Sequence, residues 1–417
     1  MDFEGSVNYL YSLGNEVETM KLGLENFRTL LAELGNPHEN YLKVQVAGTN
    51  GKGSVCAFLD SICREAGIRT GLYTSPHLIS ITERIRIDGV EISEDEFARL
   101  ATRVRETAER LLAEGKLGYT PTYFEQVTAI GLLAFADAKV ELAILETGLG
   151  GRLDATTATA AEIAVITRID LDHQEYLGDT LEKIAAEKAA IIRRGSKVIV
   201  VDQNAEAMNV INEVCLDNGV SPCIAAEIGL KAFGFPPRRL GLAGRHQFEN
   251  ARAATAAAFT LRGHFEISDD DIIAGLENAR HPGRIDRIGP FLLDGAHNPS
   301  GAAALREYLD EFVAEPITLI FGAMKDKDVA GMARVLFPMA DNIVLVASSN
   351  KRSLDPLEIL RSCDRELWRE KPVNPVEIGQ LLDIAERAVK DGGVAVVTGS
   401  LYLIGDVKRL LKSKRAI

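Results

Sequence analysis

The chain has 417 residues, enough for two or three domains that each bury their own apolar centre. Apolar residues make up 46% and charged residues 26%, and a net charge of −13 argues against a broad nucleic-acid-binding face, which needs positive surface. No apolar run approaches the ~18 residues of a membrane span, and the start MDFEGSVNYL lacks the basic-then-apolar plan of a signal peptide, so a soluble cytoplasmic protein without a membrane partner is expected. The five cysteines (Cys56, Cys63, Cys215, Cys223 and Cys363) form no C-x-x-C pair and are odd in number. They read as packing residues, not as a zinc site or a disulfide framework.

In chain order, 41–47, 140–146, 162–169 and 197–202 are short runs rich in Val, Ile and Leu, with longer helical patterns between them. That alternation predicts βαβ units and a mostly parallel sheet. A second series follows at 290–294, 317–322, 342–347 and 392–398. Between the two, ENARHPGRIDRIGP (277–290) carries two prolines, two glycines and a cluster of charges, which places the domain junction near residue 285. The expected fold is α/β, with a larger N-terminal domain over 1–284 and a smaller C-terminal Rossmann-like domain over 285–417. The basic tail KRLLKSKRAI reads as a solvated helix end.

The first predicted strand runs into glycines: VQVAGTNGKGSVC (44–56). Val55, Phe58, Leu59, Ile62 and Cys63 then recur as the stripe of a helix packed on a sheet. In a strand–loop–helix setting Gly48, Gly51 and Gly53 let the backbone turn tightly and aim N–H groups at an anion, helped by the positive end of the helix dipole. Lys52 would neutralise outer phosphates and Ser54 would face a magnesium ion. The loop departs from G-x-x-x-x-G-K-[ST], because a glycine separates the lysine from the serine. The competing reading is a glycine-rich turn with a surface lysine.

Glu146 ends the apolar run VELAIL, and His173 follows a second run in DLDHQ, so two strand ends each offer a candidate ligand where open α/β sheets bind. Alternatively Glu146 is a strand-end charge in water and His173 a turn histidine. Lys188 is more pointed. The helical stripe of 180–194 runs Leu181, Ile184, Ala185, then 188, then Ala189 and Ile192, which puts a lysine in a core position. A buried unpaired ammonium is expensive, so it must snorkel, lose its proton, find a carboxylate or be chemically changed.

Thr122 and Glu125 make a T-x-x-E capping box at the head of a strongly apolar helix, with the aromatic pair Tyr123 and Phe124 between them. GLGGR (148–152) reads as a tight loop that lets a substrate or metal approach the backbone. PFLLDGAHNPSGAAAL (290–305) reads as strand, turn and helix, with Asp294 at the strand's end; Asp, Gly, Asn and Pro would make such a turn in any case.

AGTNGKGS resembles the nucleotide loop of the Mur ligase family, ATP-dependent enzymes that join a carboxylate to an amino acid. TSPHL (74–78), TYFE (122–125), ETGLGGRLDAT (146–156), LDHxxxLG (171–178), AAEKA (185–189), HQFENARAA (246–254) and DGAHNP (294–299) narrow the resemblance to the folylpolyglutamate synthase and dihydrofolate synthase branch. It implies an N-terminal P-loop Mur-ligase-type ATPase domain followed by the family's C-terminal domain. It further implies that ATP is held by Thr49, Asn50, Gly51, Lys52, Gly53 and Ser54, and by Asn250, Arg284 and Asp294 with His297 nearby. Metal would be held by Ser75, Glu146 and His173, with Lys188 carbamylated by carbon dioxide and so able to approach magnesium. Substrate would be held by Thr122, Tyr123, Phe124 and Glu125, which would stack on and hydrogen-bond to a pteridine, and by Leu153 and Ala155. Two Mg2+ ions are expected, one bridging the outer phosphates to Ser75 and Glu146, the other on His173 and carbamylated Lys188. The γ-phosphoryl would pass to a folate or pteroate carboxylate and glutamate's amine would attack the acyl phosphate, with Lys52, Lys188 and His173 as the catalytic groups. Residues from both domains imply that closure assembles the site. The expected partners are ATP, L-glutamate and folate or dihydropteroate, and the expected form is a monomer. The rivals are a Mur-type ligase acting on a cell-wall precursor and a P-loop ATPase switch.

Overall fold

The computed structural model describes residues 1–14, 23–228 and 239–415. The chain divides into two compact units, one of residues 1–241 and 249–280, the other of 242–248 and 281–417. The change at 280/281 lies a few residues before the boundary placed at 284/285, and the short segment 242–248 groups with the later residues although 249–280 does not.

In the first unit the strands are β1 (Leu42–Ala47), β2 (Thr70–Tyr73), β3 (Ile85–Ile87), β4 (Val90–Glu91), β5 (Leu142–Glu146), β6 (Ile163–Ile166), β7 (Lys197–Val200) and β8 (Pro222–Ile224). The helices up to its end are α1 (Phe3–Ser12), α2 (Glu25–Glu33), α3 (Lys52–Glu65), α4 (Glu94–Ala113), α5 (Tyr123–Asp137), α6 (Gln174–Leu177), α7 (Leu181–Ala189), α8 (Ala205–Asp217), α9 (Gln247–Leu261) and α10 (Asp269–Asn278). The sheet order is β4-β3-β2-β5-β1-β6-β7-β8, parallel from β2 to β8, with β3 and β4 added antiparallel at one edge. The chain passes from β5 to β6 across β1, so the loops after β1, β5 and β6 meet at a topological switch point, where such sheets bind ligands.

Continuous Val, Ile and Leu suit these strands because helices cover both faces of a parallel sheet. One core packs α1, α2, α4 and α5 around Phe27, Phe97 and Phe135; another packs α7 and α8 around Ile166, Ile184 and Val200. Two glycines mark close approaches. A Cβ on Gly71 of β2 would strike the Phe135 ring, and one on Gly275 of α10 would strike the Ile62 backbone of α3. Cys56, Cys63, Cys215 and Cys363 are buried, as packing residues should be. Cys223 corrects that reading: it is exposed, because β8 is an edge strand.

The second unit holds β9 (Asp286–Ile288), β10 (Phe291–Leu293), β11 (Ile317–Phe321), β12 (Asn342–Leu345), β13 (Val373–Pro375) and β14 (Val394–Thr398), with α11 (Pro299–Phe312), α12 (Val329–Leu336), α13 (Pro356–Ser362), α14 (Leu381–Lys390) and α15 (Leu401–Arg415). Its order is β13-β12-β11-β14-β10-β9, parallel except for β9. Phe321 and Phe337 meet edge to face in its core, their centroids 5.5 Å apart. Residues 408–415 of the basic tail belong to α15, in which Val407 and Leu411 are buried and Lys412 and Lys414 exposed, while 416–417 lie outside the described residues. Among the described residues no helix is long and apolar enough to cross a membrane.

Candidate functional site

β1 leads straight into the glycine loop and α3. Gly51, the N-cap of α3, has a left-handed backbone (φ 93°), and no side chain caps the helix. The start of α3 thus carries no side-chain cap on its first-turn N–H groups, such as those of Gly53 and Ser54, and this is the kind of helix start where an anion can bind. Glycine is required at 51 for a second reason: a Cβ there would run into the Asn250 amide. Asn250, 6% exposed, thus lies directly against the loop. The earlier amides of the loop are differently engaged. Thr49 N and Asn50 N both donate to Arg168 O (2.8 and 3.1 Å), while Thr49 Oγ1 and Asn50 Nδ2 donate to Asp170 (3.0 and 3.1 Å). Thr49 and Asn50 therefore tie the loop to the segment after β6.

Two lysines converge on this loop. Lys52 Nζ donates to Gly48 O (3.0 Å) and Thr49 O (3.2 Å), and Lys188 Nζ donates to the same Gly48 O at 2.8 Å. Lys188 is 4% exposed, so its head does not escape to solvent. Two lysine side chains thus meet at one carbonyl beside the N-terminus of α3.

Glu146 closes β5 opposite Val46 and is 5% exposed, so it is not a strand-end charge in water. Its Oε2 accepts from Ser75 N at 3.1 Å, which brings the expected carboxylate and hydroxyl ligands side by side. Burial pushes the Cys56 thiol up, with Glu146 adding to the effect and Lys52 opposing it, so both groups act on this one residue of α3. His173 is partly buried, has a left-handed backbone (φ 50°) and starts the short helix α6. Among the described residues no three His, Cys, Asp or Glu side chains cluster as a metal site. The expected set contains only two such residues; its hydroxyl and carboxylate oxygens are the donors magnesium prefers.

The loop after β5 is built by a residue that sequence reasoning passed over. Asp154, 5% exposed, accepts from Gly148 N (2.9 Å), Leu149 N (3.0 Å), Thr156 N (3.0 Å) and Thr156 Oγ1 (2.6 Å). Burial pushes its carboxyl up and these four bonds pull it back. Gln45, a polar residue inside buried β1, donates to Thr156 Oγ1 (2.8 Å) and Thr157 Oγ1 (2.7 Å). A polar side chain in an otherwise apolar strand was the available signal. The glycines of GLGGR do admit a close approach, but to other parts of the chain. A Cβ on Gly151 would strike the Glu187 carbonyl, and one on Gly148 the Phe124 ring.

Thr122 and Glu125 form the capping box: Glu125 N donates to Thr122 Oγ1 (3.3 Å) and Thr122 N to Glu125 Oε2 (2.7 Å). Tyr123 is 2% exposed, stacked on Tyr11 with centroids 5.7 Å apart, and Arg84 lies 5.6 Å from its ring centre. Phe124 is the more open ring of the pair. Leu153 is partly buried and Ala155 is 2% exposed, both on the Asp154 loop.

The remaining expected residues lie in the second unit. Asp294, at the end of β10, accepts from Ile285 N (3.0 Å) and Ala296 N (2.9 Å); burial pushes its carboxyl up, and Arg284 with these amides opposes that. His297 Nδ1 lies 2.8 Å from Gly295 O. His246 is held down to about 4 by burial, with Arg284 adding to the effect.

Residues 46–220 match the Mur ligase middle domain and residues 283–410 the dihydrofolate synthetase C-terminal domain. The chain is 35% identical to the dihydrofolate synthase/folylpolyglutamate synthase of Bacillus subtilis, covering 94% of this chain and 96% of that one. It is 34% identical to a probable bifunctional folylpolyglutamate synthase/dihydropteroate synthase of Haloferax volcanii, over 98% of this chain but only 50% of that longer protein. A crystal structure of the bifunctional folylpolyglutamate synthase/dihydrofolate synthase of Yersinia pestis with AMPPNP and a Mn ion superposes with a TM-score of 0.82 at 28% identity, covering 99% of this chain and 98% of that one. The chain belongs to the Mur ligase family, in its folylpolyglutamate synthase/dihydrofolate synthase branch.

Proposed function

We propose that this protein is an ATP-dependent ligase that adds L-glutamate to a folate, and also to dihydropteroate, through an acyl phosphate. The observation that carries the reading is the uncapped N-terminus of α3, with Lys52 and Lys188 on the Gly48 carbonyl and Glu146 at the neighbouring strand end. The near full-length Bacillus relative, whose name covers both acceptors, supports the choice of substrates.

An ionised carboxylate is a poor electrophile without a leaving group, and phosphorylation corrects both faults. The loop residues 49–54 receive the triphosphate, the first-turn amides of α3, which no side chain caps, donating to its oxygens while Lys52 leaves the Gly48 carbonyl for the outer phosphates. Asn250 lies against Gly51 and borders the same nucleotide site; Arg284, Asp294 and His297 would be further ATP-binding residues. Ser75 and Glu146 would hold one magnesium ion, and His173 with carbamylated Lys188 a second. Bound there, the ions would neutralise phosphate charge and orient the transferring group. Phe124, Leu153, Ala155 and the TYFE helix start hold the acceptor, and glutamate's amine attacks the activated carboxyl as phosphate leaves. Five unpaired cysteines suit a reducing compartment, the cytoplasm, and the working form is a monomer.

The test is incubation with ATP, Mg2+, glutamate and either dihydropteroate or a reduced folate. ADP release that requires both acceptor and glutamate, with a product one glutamate heavier, is expected. ATP hydrolysis indifferent to acceptor would instead indicate a switch ATPase, and turnover of a cell-wall precursor alone would indicate the other ligase class. Labelled bicarbonate and 13C NMR test the Lys188 modification, with loss of the signal in Lys188→Met.

A further inference from the structure

Gly48, Gly51 and Gly53 give the loop after β1 many backbone states, and a bound triphosphate selects one of them at an entropic cost. The segment 167–170, directly after β6, meets each of the three residues that precede Gly51. A Cβ on Gly48 would strike the Thr167 side chain, so the two lie in contact. Thr49 N and Asn50 N both donate to Arg168 O. Thr49 Oγ1 donates to Asp170 O (3.0 Å) and accepts from Asp170 N (3.1 Å), and Asn50 Nδ2 donates to Asp170 Oδ2 at 3.1 Å. The segment is itself braced from the loop after β7. Gln203 Oε1 accepts from Ile169 N and Gln203 Nε2 donates to Thr167 O, both at 2.9 Å. The reaction proposed above gives neither Asp170 nor Gln203 a task.

We infer that Asp170 and Gln203 are positioning residues for the nucleotide: Asp170 clips the glycine loop to the end of β6, Gln203 holds that clip in place, and the loop is set for the triphosphate before it arrives. The inference rests on the function proposed above. Neither side chain takes part in the chemistry; a loop already ordered leaves less ordering to be done when ATP binds. An anion beside a phosphate site is unfavourable as a charge, so what Asp170 supplies is an acceptor oxygen in the right place, and asparagine carries the same oxygen. Its charge is met by Arg168, whose Nε lies 3.6 Å from Asp170 Oδ1.

The acceptor site makes none of these bonds, which gives the inference a signature that general destabilisation lacks. Calorimetry of the full chain with AMPPNP and Mg2+ should show Asp170→Ala binding about tenfold more weakly than wild type, and Asp170→Asn within about threefold of it. Gln203→Met, which keeps the stem and removes both brace bonds, should weaken binding about threefold and serves as the reading should Asp170→Ala fold poorly. In steady state the ATP KM should rise by the same factors while the acceptor KM stays within about twofold of wild type. Affinities are taken per folded molecule, from the unfolding transition of each variant. Wild-type nucleotide affinity in both Asp170→Ala and Gln203→Met, an acceptor KM that rises as much as the ATP KM, or an Asp170→Asn as weak as Asp170→Ala would each overturn the inference. A wild-type protein that binds AMPPNP but ligates nothing would overturn the function proposed above and leave the positioning role standing; one that binds no AMPPNP would overturn both.

Discussion

Both units send a buried parallel strand into a turn and then a helix, but the two helix starts are finished differently. α11 opens with Asn298, whose Oδ1 accepts from Gly301 N at 2.8 Å, and with Pro299, which has no N–H to satisfy. α3 opens with a left-handed glycine and no side-chain cap. The first terminus is capped by its own sequence, whereas the second carries no side-chain cap. Around the open one stand Lys52 and Lys188; around the closed one the turn residue Asp294 is occupied by backbone amides. A shared strand–turn–helix plan therefore does not by itself make a phosphate site; such a site also needs a helix start whose first-turn amides no side chain caps.

The contrast can be broken from either side. The largest effect belongs to Lys52→Ala, which removes the charge from the open terminus: kcat for glutamate addition should fall about a thousandfold, and near wild-type turnover would remove the loop from the mechanism. Next comes His246 in the second unit. Because its pKa is about 4 when folded and near 6.5 when unfolded, the unfolded chain takes the proton first as pH falls. The stability it contributes is present above about pH 6.5 and lost towards pH 4, about 3 kcal/mol in all. Unfolding followed through Trp368, the chain's one tryptophan, should show a steeper acid loss in wild type than in His246→Leu; equal slopes would contradict the burial argument. Gly51→Ala combines a left-handed backbone with a collision against Asn250 and should weaken ATP binding about tenfold by calorimetry. Smallest, Asn298→Ala should cost about 1 kcal/mol in the Trp368-monitored transition, the ordinary worth of a cap.

Long apolar runs were the legible part of the fold. β1, β5, β6 and β7, and in the second unit β10, β11, β12 and β14, fall where Val, Ile and Leu accumulate, because strands covered on both faces need no polar alternation. β2 was hidden: TGLY contains a glycine demanded by Phe135, a packing reason with no local trace. β3, β4, β8, β9 and β13 are too short to show a period. At the site, Lys188 stood out as a lysine in a core stripe and the glycine loop as a strand running into a helix. Asp154 did not, since four bonds from residues both before and after it become visible only when the loop has closed. The Tyr123 ring, expected to face a pteridine, is stacked on Tyr11 from α1, a contact 112 positions distant that no local pattern encodes.

The most direct measurement is a crystal structure with a non-hydrolysable ATP analogue and Mg2+. Phosphate oxygens should lie against the amides of residues 52–54, with Lys52 Nζ moved from the Gly48 and Thr49 carbonyls onto the outer phosphates. A triphosphate bound elsewhere, with Lys52 still on those carbonyls, would contradict the account.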